Sequence, residues 1–332
     1  MAPPIVHAAL ATLGAALLLQ PAGPASRDFN KVRMAAQASG RPKECLAAPG
    51  ATGRGLRTTM WDRAREPHLQ RYCDLLGRAF TKLDESPATA REAARLADQV
   101  NPGHAAPWVV IGRSHVKLSD FGQAVVDFAR ARALDPRSIE DPYAMHDFAI
   151  ALRKTGKRRA AVEVYRVLVP RLALVSSTDG RVAVLLEAGA LAMAEGPDGL
   201  AEAIALLTEA RRLPLSKHDA DVMGMLALAL DRAGRRGEAA SVLAQLSRLG
   251  FAASLEARDV QAFDYLSDQA DALAMTALVV ESVAPKRAVP LWQRFVERAA
   301  SSLYVEHARE HLTSAPLRVG PPARSPSHPG TP

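Results

Sequence analysis

An all-α chain of stacked helix pairs is what this sequence predicts, on three observations. Its hydrophobic share, 48% of 332 residues, is mostly Ala, Leu and Val, with aromatics at only 5%. Ala and Leu are strong helix formers, and strand-favouring residues are concentrated nowhere. From Trp61 onward, apolar residues recur at helical spacing, with Gly, Pro and Asp-Pro breaks at regular intervals. One order of small and large apolar residues then returns six times between about 70 and 303.

Taken in order, the chain opens on an apolar run, Ile5 to Leu19, broken only by His7, Thr12 and Gly14. The run is too short to span a bilayer comfortably. Gly23-Pro24-Ala25 follows, its small residues suited to signal-peptidase cleavage before Ser26. Residues 1–25 are therefore expected to be a signal peptide, although Met1 to Pro4 contain no Lys or Arg. That address implies a periplasmic or secreted protein, with an uncleaved N-terminal anchor as the alternative. Later segments are too polar for a membrane span. Residues 26–60 form a basic linker rich in Gly, Pro and Ala, residues 61–315 the helical body, and residues 316–332 a Pro- and Ser-rich tail of disordered composition.

The formal charge of +7 resides in those flanks. Nine Lys/Arg against four Asp/Glu lie between Ser26 and Gln70, and Arg318 and Arg324 lie in the tail. The body from 71 to 315 is left neutral, which argues against a nucleic-acid surface. Two cysteines, Cys45 and Cys73, are too few for a disulfide framework. They could form one bridge in an oxidising compartment, but the residues lean towards a helix-buried Cys73 and a free Cys45.

The clearest repeat runs from Ala105 to Ser138. Trp108, Ile111, Gly112 and His115 fall on one face of a first helix, and Leu118-Ser119-Asp120-Phe121 makes a turn. Ala124, Phe128 and Ala131 line a second helix that closes at Asp135-Pro136. Gly112, Ala124 and Ala131 let the two helices approach closely, and neighbouring pairs must cover the remaining apolar surface. A preceding copy uses Leu76-Gly77, Phe80, Ala90, Ala94, Ala97 and Pro102. Later copies run through Phe148 to Leu168, Gly189 to Ala210, Leu226 to Leu246 and Met275 to Phe295, and Tyr304 to Thr313 forms a terminal capping helix.

These residues resemble the tetratricopeptide repeat, whose order is Trp, Leu-Gly, Tyr, Ala, Phe, Ala and Pro over about 34 residues. His115 stands where that family has Tyr. The resemblance implies a right-handed superhelical solenoid of about six helix pairs, whose first helices line a concave groove that receives a peptide segment of another protein. Projected on that arrangement, Arg78, Lys82, Arg113, Lys117, His146, Arg153 and Lys154 make the N-terminal half of the groove basic. Leu186, Ala190 and Met193, then Leu273, Ala277 and Val280, make the C-terminal half apolar, with Asp221, Leu228, Asp231 and Arg232 between them. The expected partner is a protein segment with acidic residues followed by apolar ones. The Lys/Asn clamp that this family uses for anionic chain ends is not reproduced, because no Asn follows Asn101.

Catalytic patterns are nearly absent. The chain has no phosphate-binding Gly-rich loop, nucleophile elbow or Cys-x-x-Cys pair. His307-x-x-Glu310-His311 does match the inverted zinc-protease pattern, which places two His at i, i+4 on one helix face. No Asp or Glu follows His311 to serve as a third ligand, and the run reads as the solvated face of the capping helix. The remaining His residues and Glu187 read as satisfied core groups, and Trp61, Trp108 and Trp292 as packing residues. The sequence thus predicts a non-enzymatic binding scaffold with no catalytic residue, cofactor or metal. The alternatives are a structural subunit of an envelope complex held by its convex face or ends and, further off, a zinc-dependent enzyme built on His307, Glu310 and His311.

Overall fold

The computed structural model describes residues 43–45, 67–214, 216–258, 263, 265–266, 269–300 and 302–314. The expected signal peptide, most of the linker, the start of the expected helical body including Trp61, and the Pro/Ser-rich tail lie outside them. The chain divides into two compact units, Met1–Gln70 and Arg71–Pro332. The first contributes a short 3-10 turn, Lys43–Cys45. Cys45 and Cys73 are each disulfide-bonded, which corrects the expectation of a free Cys45.

Among the described residues every regular element is helical, and there are fourteen α-helices. Six pairs follow one another: α1 (Pro67–Lys82) with α2 (Pro87–Val100), α3 (Ala105–Lys117) with α4 (Phe121–Leu134), α5 (Pro142–Lys154) with α6 (Arg158–Leu168), α7 (Thr178–Met193) with α8 (Leu200–Arg212), α9 (Asp219–Arg232) with α10 (Arg236–Arg248), and α12 (Gln269–Val283) with α13 (Pro285–Arg298). A short α11 (Phe251–Glu256) precedes the sixth pair, and α14 (Val305–Ser314) is the terminal cap. First helices stand beside first helices, α3 against α5 and α9 against both α7 and α12. The all-α class and the paired repeat read from the sequence are those of the structure.

The local signals act where expected. Pro opens α2, α5 and α13, where its missing N–H costs nothing. The carboxylates of Asp120 and Asp141 accept from the Gln123 and Ala144 amides, and the Ser177 hydroxyl accepts from the Gly180 amide, so each caps its helix. The first-to-second helix turn recurs as well. After α3, α5 and α9 the chain steps through a left-handed residue, Ser119, Gly156 or Gly234. In each case the following amide donates back into the helix, Asp120 to the His115 carbonyl at 2.8 Å, Lys157 to Leu152 at 2.8 Å and Arg235 to Leu230 at 2.9 Å. This is the glycine C-cap motif, used with Ser119 in the place of glycine at the first of the three.

Packing within the pairs also follows the reading. A Cβ added at Gly112 would come within 3.2 Å of the Phe128 ring, so the small residue sets the distance between α3 and α4. Phe128, Ala124 and Ala131 are fully buried opposite it. The core forms two clusters, one running from Val109 to Leu191 and the other from Val182 to Ala308. Both take residues from α7, which is apolar nearly all round and is packed on every side. A 3-10 turn, Val169–Leu174, touches both α5 and α7 at this junction.

Candidate functional site

The stripe of first-helix positions predicted to face a partner changes character along the chain. On α1 and α3, Arg78, Lys82 and Lys117 are exposed, and Arg113 is half-buried. On α5, Tyr143 and Lys154 are exposed and His146 and Ile150 half-buried, the four spaced as one helix face. Several of these charges are held by acids of the same chain. Lys82 bonds Glu85 at 2.8 Å, Lys117 lies 3.0 Å from Asp84, and the Arg113 Nε donates to Asp147 at 2.7 Å.

His146 and Arg153 are drawn into a buried network around Glu187 of α7. The Glu187 carboxylate accepts from the Tyr165 hydroxyl, and it lies 3.3 Å from His146 and 4.0 Å from Arg153. Burial alone would raise the Glu187 pKa, but the charges of His146 and Arg153 and the Tyr165 hydrogen bond outweigh it and hold the value at about 2. Burial likewise opposes charging of His146, and Glu187 overrides it to raise the His146 pKa. His115 is a satisfied core histidine, its Nδ1 2.6 Å from the Asp127 carboxylate. These outcomes agree with the reading of such groups as packing-layer hydrogen bonders.

In the C-terminal half the same stripe is covered by the chain itself. Leu186, Ala190 and Met193 on α7, Leu228 on α9, and Leu273, Ala277 and Val280 on α12 are all buried, so the apolar half of the expected groove is not open. One cover is the segment after α11. Phe263, Tyr265 and Leu266 are buried there. The Tyr265 hydroxyl and the Arg258 guanidinium donate to Asp221 of α9 at 3.2 and 2.6 Å, and Arg153 of α5 donates to the Leu266 carbonyl at 3.4 Å. These residues belong to a turn, the Leu266 amide donating to the Phe263 carbonyl at 3.1 Å, that lies against first helices.

The second cover is α14. It closes the end of the stack against α13, as a cap should, and its side chains reach the last turns of α9 and α12, while Tyr304 just before it reaches the end of α7. The Tyr304 hydroxyl donates to the carbonyl of Met193, and its ring lies 4.0 Å from the Arg232 guanidinium, which donates to Asp271 at 2.7 Å. His307 and His311 are turned inward, which corrects the reading of this run as a solvated face. His311 is 3% exposed, and His307 is half-buried.

Both imidazoles aim Nε2 at one atom, Oδ2 of Asp231, at 2.6 Å from His307 and 2.9 Å from His311. Nδ1 of His311 meets Oε2 of Glu281 at 2.8 Å, and that oxygen also accepts from Nε1 of Trp292 at 2.7 Å. The Trp292 ring stacks on His311, 4.5 Å between centroids and 16° from parallel. Burial would lower the His311 pKa, but its hydrogen bonds to Asp231 and Glu281 raise it to about 9. Burial would raise that of Asp231, and the two imidazoles hold it well below the usual carboxylate range. Glu310, the general base of the sequence motif, points away and bonds Arg236. It is 61% exposed, so the protease arrangement is not formed. A helix-by-helix search of the sequence misses Asp231 because it lies 76 residues upstream of His307.

No family model matches the chain, and no curated protein matches it. Among solved structures it is similar to a chain in the crystal structure of the APC/C hetero-tetramer Cut9-Hcn1, at 16% identity and a TM-score of 0.38. The match covers 74% of this chain and 52% of that one, so this chain spans about half the length of the solved chain that it matches.

Proposed function

We propose that this chain is a non-enzymatic protein-interaction scaffold that holds an extended partner segment along the first helices of its N-terminal half. One observation carries the reading: the chain's own Tyr265–Leu266 stretch lies on first helices α5 and α9, tied by a main-chain carbonyl to Arg153 and by a side-chain hydroxyl to Asp221. A surface that accepts a non-helical turn of chain in this way in its covered half is suited to accept a chain segment in trans where the stripe is exposed. The exposed groups there are Arg78, Lys82, Lys117, Tyr143 and Lys154, which favour a partner segment carrying acidic residues, with apolar ones beside Ile150. The expected signal peptide places this activity in the periplasm or outside the cell. Among the described residues, no helix is long and apolar enough to cross a membrane.

The structure also selects the variant for the test. Reversal of Arg113 would set a carboxylate against Asp147 and destabilise the fold, so the exposed Lys82, Lys117 and Lys154 are the better positions. A peptide array that scans acidic-then-apolar segments is probed with the wild type and with the Lys82→Glu/Lys117→Glu/Lys154→Glu variant. Retention by the wild type and loss in the variant supports the reading. Equal retention by both moves binding to the convex face or the ends, and an array that retains neither removes the peptide reading.

A further inference from the structure

We propose that Asp231, His307 and His311 form a binding site for one divalent transition-metal ion of the zinc class, which fastens α14 across the C-terminal ends of the first helices. The donor set is the first argument. Nε2 of His307, Nε2 of His311 and Oδ2 of Asp231 converge, the three ligand atoms lying within 4.8 Å of one another. Two imidazoles and a carboxylate are the ligands of a borderline cation with a remaining position for water.

Ligand orientation is the second. A metal-binding His normally presents one ring nitrogen to the ion and donates the other N–H to a carboxylate, which fixes its tautomer. His311 has this arrangement: Oε2 of Glu281 receives Nδ1, and the carboxylate is itself held by Trp292. His307 repeats it loosely, with Nδ1 4.0 Å from Glu310. With Nδ1–H assigned to Glu281, the Nε2 lone pair of His311 faces a carboxylate oxygen 2.9 Å away. That contact requires a positive charge between the two atoms, either a proton or a metal ion. Around a tetrahedral ion with bonds of about 2.0–2.1 Å, donor atoms stand roughly 3.3 Å apart. Outward shifts of the rings by less than about 1 Å from the 2.6 and 2.9 Å contacts make that room.

The surroundings are the third. Asp231 and Glu281 occupy the last turns of α9 and α12, and Tyr304 bonds a carbonyl at the end of α7. The C-termini of α9 and α12, each carrying partial negative charge, therefore meet at these two carboxylates and favour a cation there. Asp231, Glu281 and His311 also line a cavity of about 320 Å³, walled by Ala239, Leu243 and Leu278, from which water can complete the coordination. Bound there, the ion joins α14 directly to α9 and, through Glu281, to α12.

The test uses the full chain, carried without an affinity tag and stripped with a chelator, and Co²⁺ as the spectroscopic probe. The wild type should take up one Co²⁺ per chain, with visible bands of a four- or five-coordinate ion that Zn²⁺ displaces. Its melting temperature should rise with added Zn²⁺. His307→Ala should weaken binding by at least about 100-fold, beyond the 10- to 100-fold typical of an outer-shell partner, and Glu306→Gln, whose exposed carboxylate bonds Arg309 outside the site, should leave it unchanged. His307→Cys should bind and add a near-ultraviolet thiolate-to-cobalt band, which can come only from position 307 because both native cysteines are disulfide-bonded. Lack of visible bands in the wild type, wild-type affinity in His307→Ala, or no charge-transfer band in His307→Cys would each overturn the proposal. Should His307→Ala fail to fold, the His307→Cys spectrum decides.

Discussion

The first three helix pairs and the last three are built on one repeat, yet they treat the same face in opposite ways. On α1, α3 and α5 the first-helix stripe is polar and carries the exposed Lys82, Lys117 and Lys154. On α7, α9 and α12 the equivalent stripe is apolar or ionisable and buried, α9 from Ala220 through Arg232 without a break. The cover is sequence from outside the pairs, Phe263, Tyr265 and Leu266 before the sixth pair and α14 after it. The difference teaches that an apolar inner stripe in a solenoid is as much a demand for intramolecular cover as an invitation to a partner. Leaving it open would expose a continuous apolar patch to water.

The sharpest way to break the contrast is at its seam. Glu187 of α7 ties Tyr165, His146 and Arg153, from the last regular pair, to the first covered one. Glu187→Ala leaves a buried guanidinium, imidazole and hydroxyl without their shared acceptor, and it should cost about 3–5 kcal/mol in urea unfolding. A loss under about 1 kcal/mol would show that the network is incidental to the junction. The next largest effect should come from the cover itself. Leu266→Ala removes a side chain that is 7% exposed, and should destabilise the chain by about 2–4 kcal/mol. Amide exchange should accelerate in α9 and α12 while α3 and α4 stay protected. Uniform acceleration would mean that the two core clusters unfold as one.

A smaller effect follows from pH. Glu187 titrates near 2 when folded against an ordinary 4.5, so its contribution is complete above about 4.5 and fades as pH falls towards 2. His146 is raised above its ordinary 6.5, so its contribution is complete below about 6.5 and is lost as pH rises through its folded value. Both act together only between about pH 4.5 and 6.5. The stability difference between wild type and Glu187→Gln should therefore be largest there and shrink on either side. A difference that is flat from pH 3 to 9 would remove the His146–Glu187 coupling.

Legibility in the sequence divides along the same line as the structure. Helix order, the six pairs and the close approach at Gly112 were readable because each rests on residues within about 40 positions of one another, the length of a repeat. What covers the first helices of the later pairs was not, because Arg153 meets Leu266 across 113 positions and Asp231 meets His311 across 80. Periodicity reports which face is apolar and says nothing of which distant segment covers it. The pattern His307-x-x-Glu310-His311 was visible, and its third partner was sought downstream when the fold supplies it from the end of α9. A signal was present all the same: Asp221, Asp231, Asp271 and Glu281 are acids on the otherwise apolar helices α9 and α12. Acids so placed must find partners or stay unfavourably buried.

The smallest effect tests the regularity of the open half. The turn after the first helix uses a left-handed residue at Ser119, Gly156 and Gly234, with Ser119 at φ 61°. A non-glycine residue in that region costs roughly 1–2 kcal/mol, part of which glycine returns as greater freedom of the unfolded chain. Ser119→Gly should therefore raise stability by about 0.5–1 kcal/mol, and Gly156→Ala and Gly234→Ala should lower it by about 1 kcal/mol each, all read as shifts of the urea midpoint at constant slope. Equal signs for the three substitutions would show that the turns are not equivalent. Opposite signs would mean that one backbone geometry serves both halves, so the change from an open to a covered face arises in the helices and in what lies across them.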